Sequence, residues 1–297
     1  MPFSVRGTAL AAVTAASIVL GAPPSLAQGQ AIDDYRDVTE FLGAGDYPAA
    51  VEALAQRADQ GEELAQLLLG ELYLSGMGSP PNPQLAIAWF RRAAVAGNAH
   101  AMVRLGQVYQ DMSYPLSGEP FGTWPTAAGW FVMAAAAGSP AGAAHAGLIF
   151  SSGTLSRETE LISREAETAL ARRYFEQAAE AGNGRARWQL AMTHRDEPDF
   201  LDHMRQAAEG MDGIVAQHTL GLSDWVEEGV TPREQYRWAL ITQRNLELSG
   251  VHEVFGDSAE DIAVMIEDIA AGLDETDRGT AEAEAEAFTA DWVDLYP

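Results

Sequence analysis

Ala65-Gln66-Leu67-Leu68-Leu69-Gly70-Glu71-Leu72-Tyr73 is followed by Trp89-Phe90-Arg91-Arg92-Ala93-Ala94-Val95-Ala96-Gly97, and both strings return further along the chain. Leu69-Gly70-x-x-Tyr73 comes back as Leu105-Gly106-x-x-Tyr109, Ala146-Gly147-x-x-Phe150 and Leu190-Ala191-x-x-His194, with Leu220-Gly221 a degraded copy. Trp89-Phe90-x-x-Ala93-Ala94-x-x-Gly97 comes back as Trp130-Phe131-x-x-Ala134-Ala135-x-x-Gly138 and as Tyr174-Phe175-x-x-Ala178-Ala179-x-x-Gly182. It ends shortened, as Ala207-Ala208-Glu209-Gly210. Two signatures recurring in a fixed order mark internal repeats.

The physics of one unit predicts the architecture. Ala65, Leu69, Leu72 and Tyr73 fall on one stripe of an α-helix. Gly70 on that stripe lets a second helix come close. Gly76-Met77-Gly78-Ser79-Pro80-Pro81 ends the helix, and Pro83 suits the first turn of the next. That second helix is expected to bury Ala86, Trp89, Phe90 and Ala93 and to stop at Gly97 in a left-handed cap. Such a hairpin cannot bury its apolar face alone, so stacked neighbours bury it jointly. The expected fold is all-α, an α-solenoid of antiparallel helix hairpins closed by a C-terminal helical cap.

The pattern A-x-x-x-L-G-x-x-Y-x-x-G-x-G followed by A-x-x-W-F-x-x-A-A-x-x-G resembles the SEL-like repeat family, relatives of the tetratricopeptide repeat. Residues 62–97, 98–138 and 139–182 are the best copies within a stack over 62–250, and 183–250 is degenerate. Residues 28–61 hold leading helices, among which Phe41 to Gly61 looks like an isolated second helix. The resemblance implies a binding scaffold without catalysis of its own and without a cofactor.

Composition narrows the alternatives. The 297 residues carry 43 acidic and 18 basic side chains, for a net charge of -25, and every basic residue is arginine. No lysine excludes a phosphate-loop or Schiff-base lysine. No cysteine excludes a thiol nucleophile, a disulfide and a cysteine-based zinc site. It also excludes the secreted branch of the family that staples each hairpin with a disulfide. So acidic a chain is repelled by nucleic acid and by anionic membrane surfaces.

Both ends differ from the repeats. Arg6, the apolar run Thr8 to Ala22, Pro23-Pro24 and Ser25-Leu26-Ala27 follow the order of a secretory signal peptide, residues 1–27, with cleavage expected between Ala27 and Gln28. The expected destination is the periplasm, with secretion as the alternative and no stable membrane insertion after processing. Residues 251–297 hold 14 acids and one arginine, Arg278. Ile262, Met265, Ile266, Ile269 and Leu273 share one helical face with Ser258 as N-cap; Ala281, Ala285, Phe288, Trp292 and Leu295 share another. These read as capping helices with solvated outer faces.

Chemistry is sparse. His194, Asp196, Glu197, Asp199, Asp202 and His203 have metal-ligand side chains, yet His194 stands where earlier copies have Tyr73 and Tyr109, which favours packing. A hydrolase or metal-dependent site at 194–203 is therefore the weaker alternative. In tetratricopeptide-like stacks the first helices line the inner face, and the family offsets place there Leu64, Leu67, Glu71 and Leu74, then His100, Val103, Gln107 and Gln110, then Ala141, Ala144, Leu148 and Ser151, then Arg185, Trp188, Met192 and Arg195, and last Val215, His218, Leu222 and Trp225. Trp, Met and Arg are enriched at interface hot spots. Whether Trp188 and Trp225 belong to that groove or to the core stays open at this point. Tyr114, Phe121 and Trp124, in a loop rich in Pro and Gly, form a second contact surface. The expected partner is another protein or an extended peptide with a basic patch. The expected role is regulation of an envelope sensor, the alternative a cell-envelope assembly or glycan-binding scaffold.

Overall fold

The computed structural model describes residues 35–111, 123–159, 162–193, 195, 199–209, 213–222, 229–249, 253–254, 256–290 and 292. They divide into two compact units at residue 145. No helix among the described residues is long and apolar enough to cross a membrane. The leader at 1–27, with Ala27 and Gln28, lies outside them.

The first unit is a run of hairpins. Helix α1 (Arg36–Ala44) and α2 (Tyr47–Asp59) are followed by α3 (Glu63–Ser75), α4 (Pro83–Val95), α5 (Ala99–Gln110), α6 (Thr123–Ala136) and the start of α7 (Pro140–Ser151). The expected isolated second helix has a partner after all. Helix α1 lays Val38 against Leu54 and Ala58.

Inside each hairpin the Leu-Gly glycine seats a phenylalanine ring. A Cβ on Gly70 would overlap Phe90, one on Gly106 would overlap Phe131, and one on Gly147 would overlap Phe175. Phe90, Phe131 and Phe175 are among the largest fully buried side chains. The sequence reading gave Trp89 the same burial, and this is corrected: Trp89 is half-buried, with Arg92 over its ring at 4.4 Å.

The corner from one repeat to the next is as regular. Gly97 has φ +106°; its N–H reaches the Ala94 carbonyl and the next N–H reaches Ala93, both at 3.0 Å. Asn98 then caps the following helix through the Ala101 N–H at 2.9 Å. Gly138 with Ser139 and Gly182 with Asn183 repeat this pair of bonds and this cap. Three residues before the Leu-Gly pair, a polar side chain caps the end of the preceding helix. Gln66 donates to the Ala58 carbonyl at 3.0 Å, Arg187 to Ala179 at 3.3 Å and Gln217 to Ala208 at 2.9 Å.

The second unit continues with α8 (Thr154–Thr159), α9 (Arg164–Glu180), α10 (Gly184–Thr193), α11 (Phe200–Ala207), α12 (Ile214–Leu222) and α13 (Pro232–Ser249). Then come strands β1 (Glu253–Val254) and β2 (Asp257–Ser258), and helices α14 (Ala259–Ala271) and α15 (Glu275–Thr289). The strands make a two-stranded antiparallel ribbon with Glu253 opposite Ser258. Ser258 caps α14 in a reciprocal capping box with Asp261. Ile262 and Ile266 bury as expected, and so do Ala281, Ala285 and Trp292.

Candidate functional site

In the first unit a polar ladder crosses successive first helices. Arg104 of α5 pairs with Glu71 of α3 and donates to the Gln107 Oε1. That bond fixes the amide, so the Gln107 Nε2 faces the His145 Nε2 at 3.1 Å and donates to it. The His145 ring stacks on Phe131 with centroids 4.8 Å apart. In repeat register, the residue after one glycine (Glu71, Gln107) meets the residue two before the next glycine (Arg104, His145). Family offsets supplied Glu71 and Gln107 and missed Arg104 and His145. The missing signal was complementarity between neighbouring copies, an acid opposite an arginine and an amide opposite an imidazole.

In the second unit α10 carries the first group of expected contact residues. Arg185 is exposed, Trp188 and Met192 are half-buried, and Arg195 lies exposed beyond the helix end. The Trp188 ring packs on the core cluster of Met204, Ala207 and Leu220, and its Nε1 donates to the Thr219 Oγ1 of α12 at 3.2 Å. The ring is anchored at one edge and partly open at the other.

The fifth copy is different. His218 is 3 % exposed and Leu222 4 %, so neither can line an open groove. The C-terminal segment covers them: Asp257 of β2 bonds to the His218 Nε2 at 2.9 Å, and Leu222 packs with Val254, Ile262 and Ile266. Trp225 lies outside the described residues, as do Tyr114 and Phe121; Trp124 is half-buried in the first turn of α6.

Buried Glu167 and the Asp199–His203 pair serve local structure. Glu167 is fully buried, accepts from the Leu155 N–H at 3.0 Å and from the Ser156 hydroxyl, and so caps α8. Asp199 and His203 form a local pair at 3.2 Å, one helical turn apart. His194 is outside the described residues, and among the described ones no His, Asp and Glu group could hold a metal.

Hairpins that seat a ring on a glycine and turn on Gly-Asn or Gly-Ser corners define an α-solenoid repeat protein. The Sel1 repeat profile matches residues 64–98 and 164–183, so those two segments carry SEL-like repeats. Such repeats mediate protein–protein interaction, and the fold is typically a non-catalytic scaffold. No curated protein matches the sequence. Among solved structures, a Sel1 repeat protein from Oxalobacter formigenes is 21 % identical with a TM-score of 0.50, over 64 % of this chain and 74 % of that one. A protective antigen present in uropathogenic Escherichia coli strains, displaying an SLR fold, is 16 % identical with a TM-score of 0.49. That match covers 83 % of this chain, which spans 57 % of the antigen's length.

Proposed function

We propose that this chain is a non-catalytic scaffold, exported to the periplasm, that binds another protein or an extended peptide and regulates an envelope sensor or signalling system. The observation that carries the reading is the α10 stripe of Arg185, Trp188, Met192 and Arg195, with the Trp188 ring held in place by Thr219. A ring held in one orientation before binding costs little entropy when a partner covers it, which is what an anchor residue needs. Export rests on the N-terminal run and the small residues before Gln28. The test is fractionation of the native host followed by cross-linking and affinity capture from the periplasm. Intact mass should begin at Gln28, and one protein should be captured in constant proportion, lost when Trp188 is replaced by Ala. A cytoplasmic species beginning at Met1, or capture that ignores Trp188, would overturn the reading.

A further inference from the structure

We infer a second docking site, on the C-terminal helices: a cleft between α13 and α15 that takes an amphipathic, lysine- or arginine-bearing segment of a partner protein. The cleft has a volume of about 580 Å³, and Leu240 and Ala285 supply its apolar floor. That size lies within the ~300–1,000 Å³ typical of ligand pockets. Leu240 stands where the two hydrophobic clusters of this unit meet and is still only half-buried. The small Ala285 and Thr289 of α15 leave the space that a larger side chain would close.

Charge on the rim selects the occupant. Glu282 and Glu286 stand one helical turn apart on α15, and Arg244 stands on α13. Arg244 is engaged by Glu247 at 3.1 Å, and Glu282 accepts from the Tyr236 hydroxyl at 3.1 Å and pairs with Arg278 at 3.5 Å. Glu286 is exposed and has no ion pair among the described residues. The rim thus offers the Glu286 carboxylate to whatever enters, within a segment of 14 acids and one arginine. A second copy of the chain is a poor occupant, because two bodies of charge -25 repel. A helix with leucines on one face and basic residues beside them matches both floor and rim.

The absence of lysine makes the test clean. A short fluorescein-labelled leucine–lysine amphipathic peptide is titrated into the full chain and then joined with a carbodiimide, which couples carboxylates to the peptide's amines with no lysine of the chain to compete. Coupling should concentrate on Glu282 and Glu286. Ala290→Trp, which fills the cleft from an exposed lining position, should weaken binding about ten-fold, as loss of an anchor pocket does. Glu286→Arg should weaken it more than Glu267→Arg, the same charge change on the exposed face of α14. Coupling spread over the exposed acids of the chain, equal losses from Glu267→Arg and Glu286→Arg, or comparable binding of a leucine–glutamate peptide would each overturn the proposal.

Discussion

Gly70 and Phe90 fit because the glycine lacks the one atom the ring would strike. Gly70→Ala should therefore destabilise by about 1–3 kcal/mol through overpacking. The fourth copy already holds the compensated pair, Ala191 with the buried Met204 in place of glycine and phenylalanine. Hence Phe90→Met should recover part of the loss in urea unfolding, and additive losses would count against the pairing. Phe90→Ala should cost about 3–5 kcal/mol, and Trp89→Ala clearly less. Sequence could not rank these neighbours. Both are aromatic and adjacent on one helix, and only the seat on Gly70 tells which points inward. His218 is a second residue-scale case. Burial pushes its imidazole below the ordinary value, and Asp257 opposes this only in part. The unfolded chain then takes the proton more readily. The stabilisation is complete above about pH 6.5 and fades as pH falls from there through the folded value. His218→Gln should flatten the stability profile below about pH 6.5, and an unchanged slope would contradict this.

At the scale of elements, the corners carry the regularity. Gly97-Asn98, Gly138-Ser139 and Gly182-Asn183 each end one helix and begin the next within two residues; the glycines were legible from the signatures, and the capping side chains one residue beyond them were not. Asn98→Ala should cost about 1 kcal/mol as a lost N-cap. Ser258→Ala removes the hydroxyl half of the capping box of α14 and leaves only the residue-258 N–H on the Asp261 carboxylate, so hydrogen exchange should quicken in that helix and in the α12 segment beneath it. Unchanged protection near His218 would mean that the ribbon does not hold that face down. The inner-face assignment failed here for a physical reason. Offsets taken from tetratricopeptide-like units assume an open first-helix face, whereas the last hairpin of a stack must cover its exposed apolar side. Val254, Ile262 and Ile266 do this over Leu222, and nothing in the local sequence of α12 announces the cover.

For the whole molecule, the repeat signatures made the helical architecture readable, whereas the -25 charge carries only the expectation of a basic partner. The contact surface was less legible. It depends on which first-helix side chains remain uncovered and on pairings between copies, as with Arg104 and Glu71. The acidic surface should steer association, so added salt should slow the on-rate while leaving dissociation little changed. The α10 anchors should act the other way, on the off-rate. The central claim is that Trp188 and its flanking arginines form a preorganised contact surface on a non-catalytic stack. The measurement that reaches it most directly is the dissociation constant of the captured periplasmic partner for Trp188→Ala, read beside circular dichroism and thermal unfolding. Binding should weaken by more than about ten-fold, with the helical signal kept and the melting temperature lowered only modestly by the lost packing and the lost Thr219 bond. A folded Trp188→Ala variant that binds normally, or one that unfolds, would contradict it.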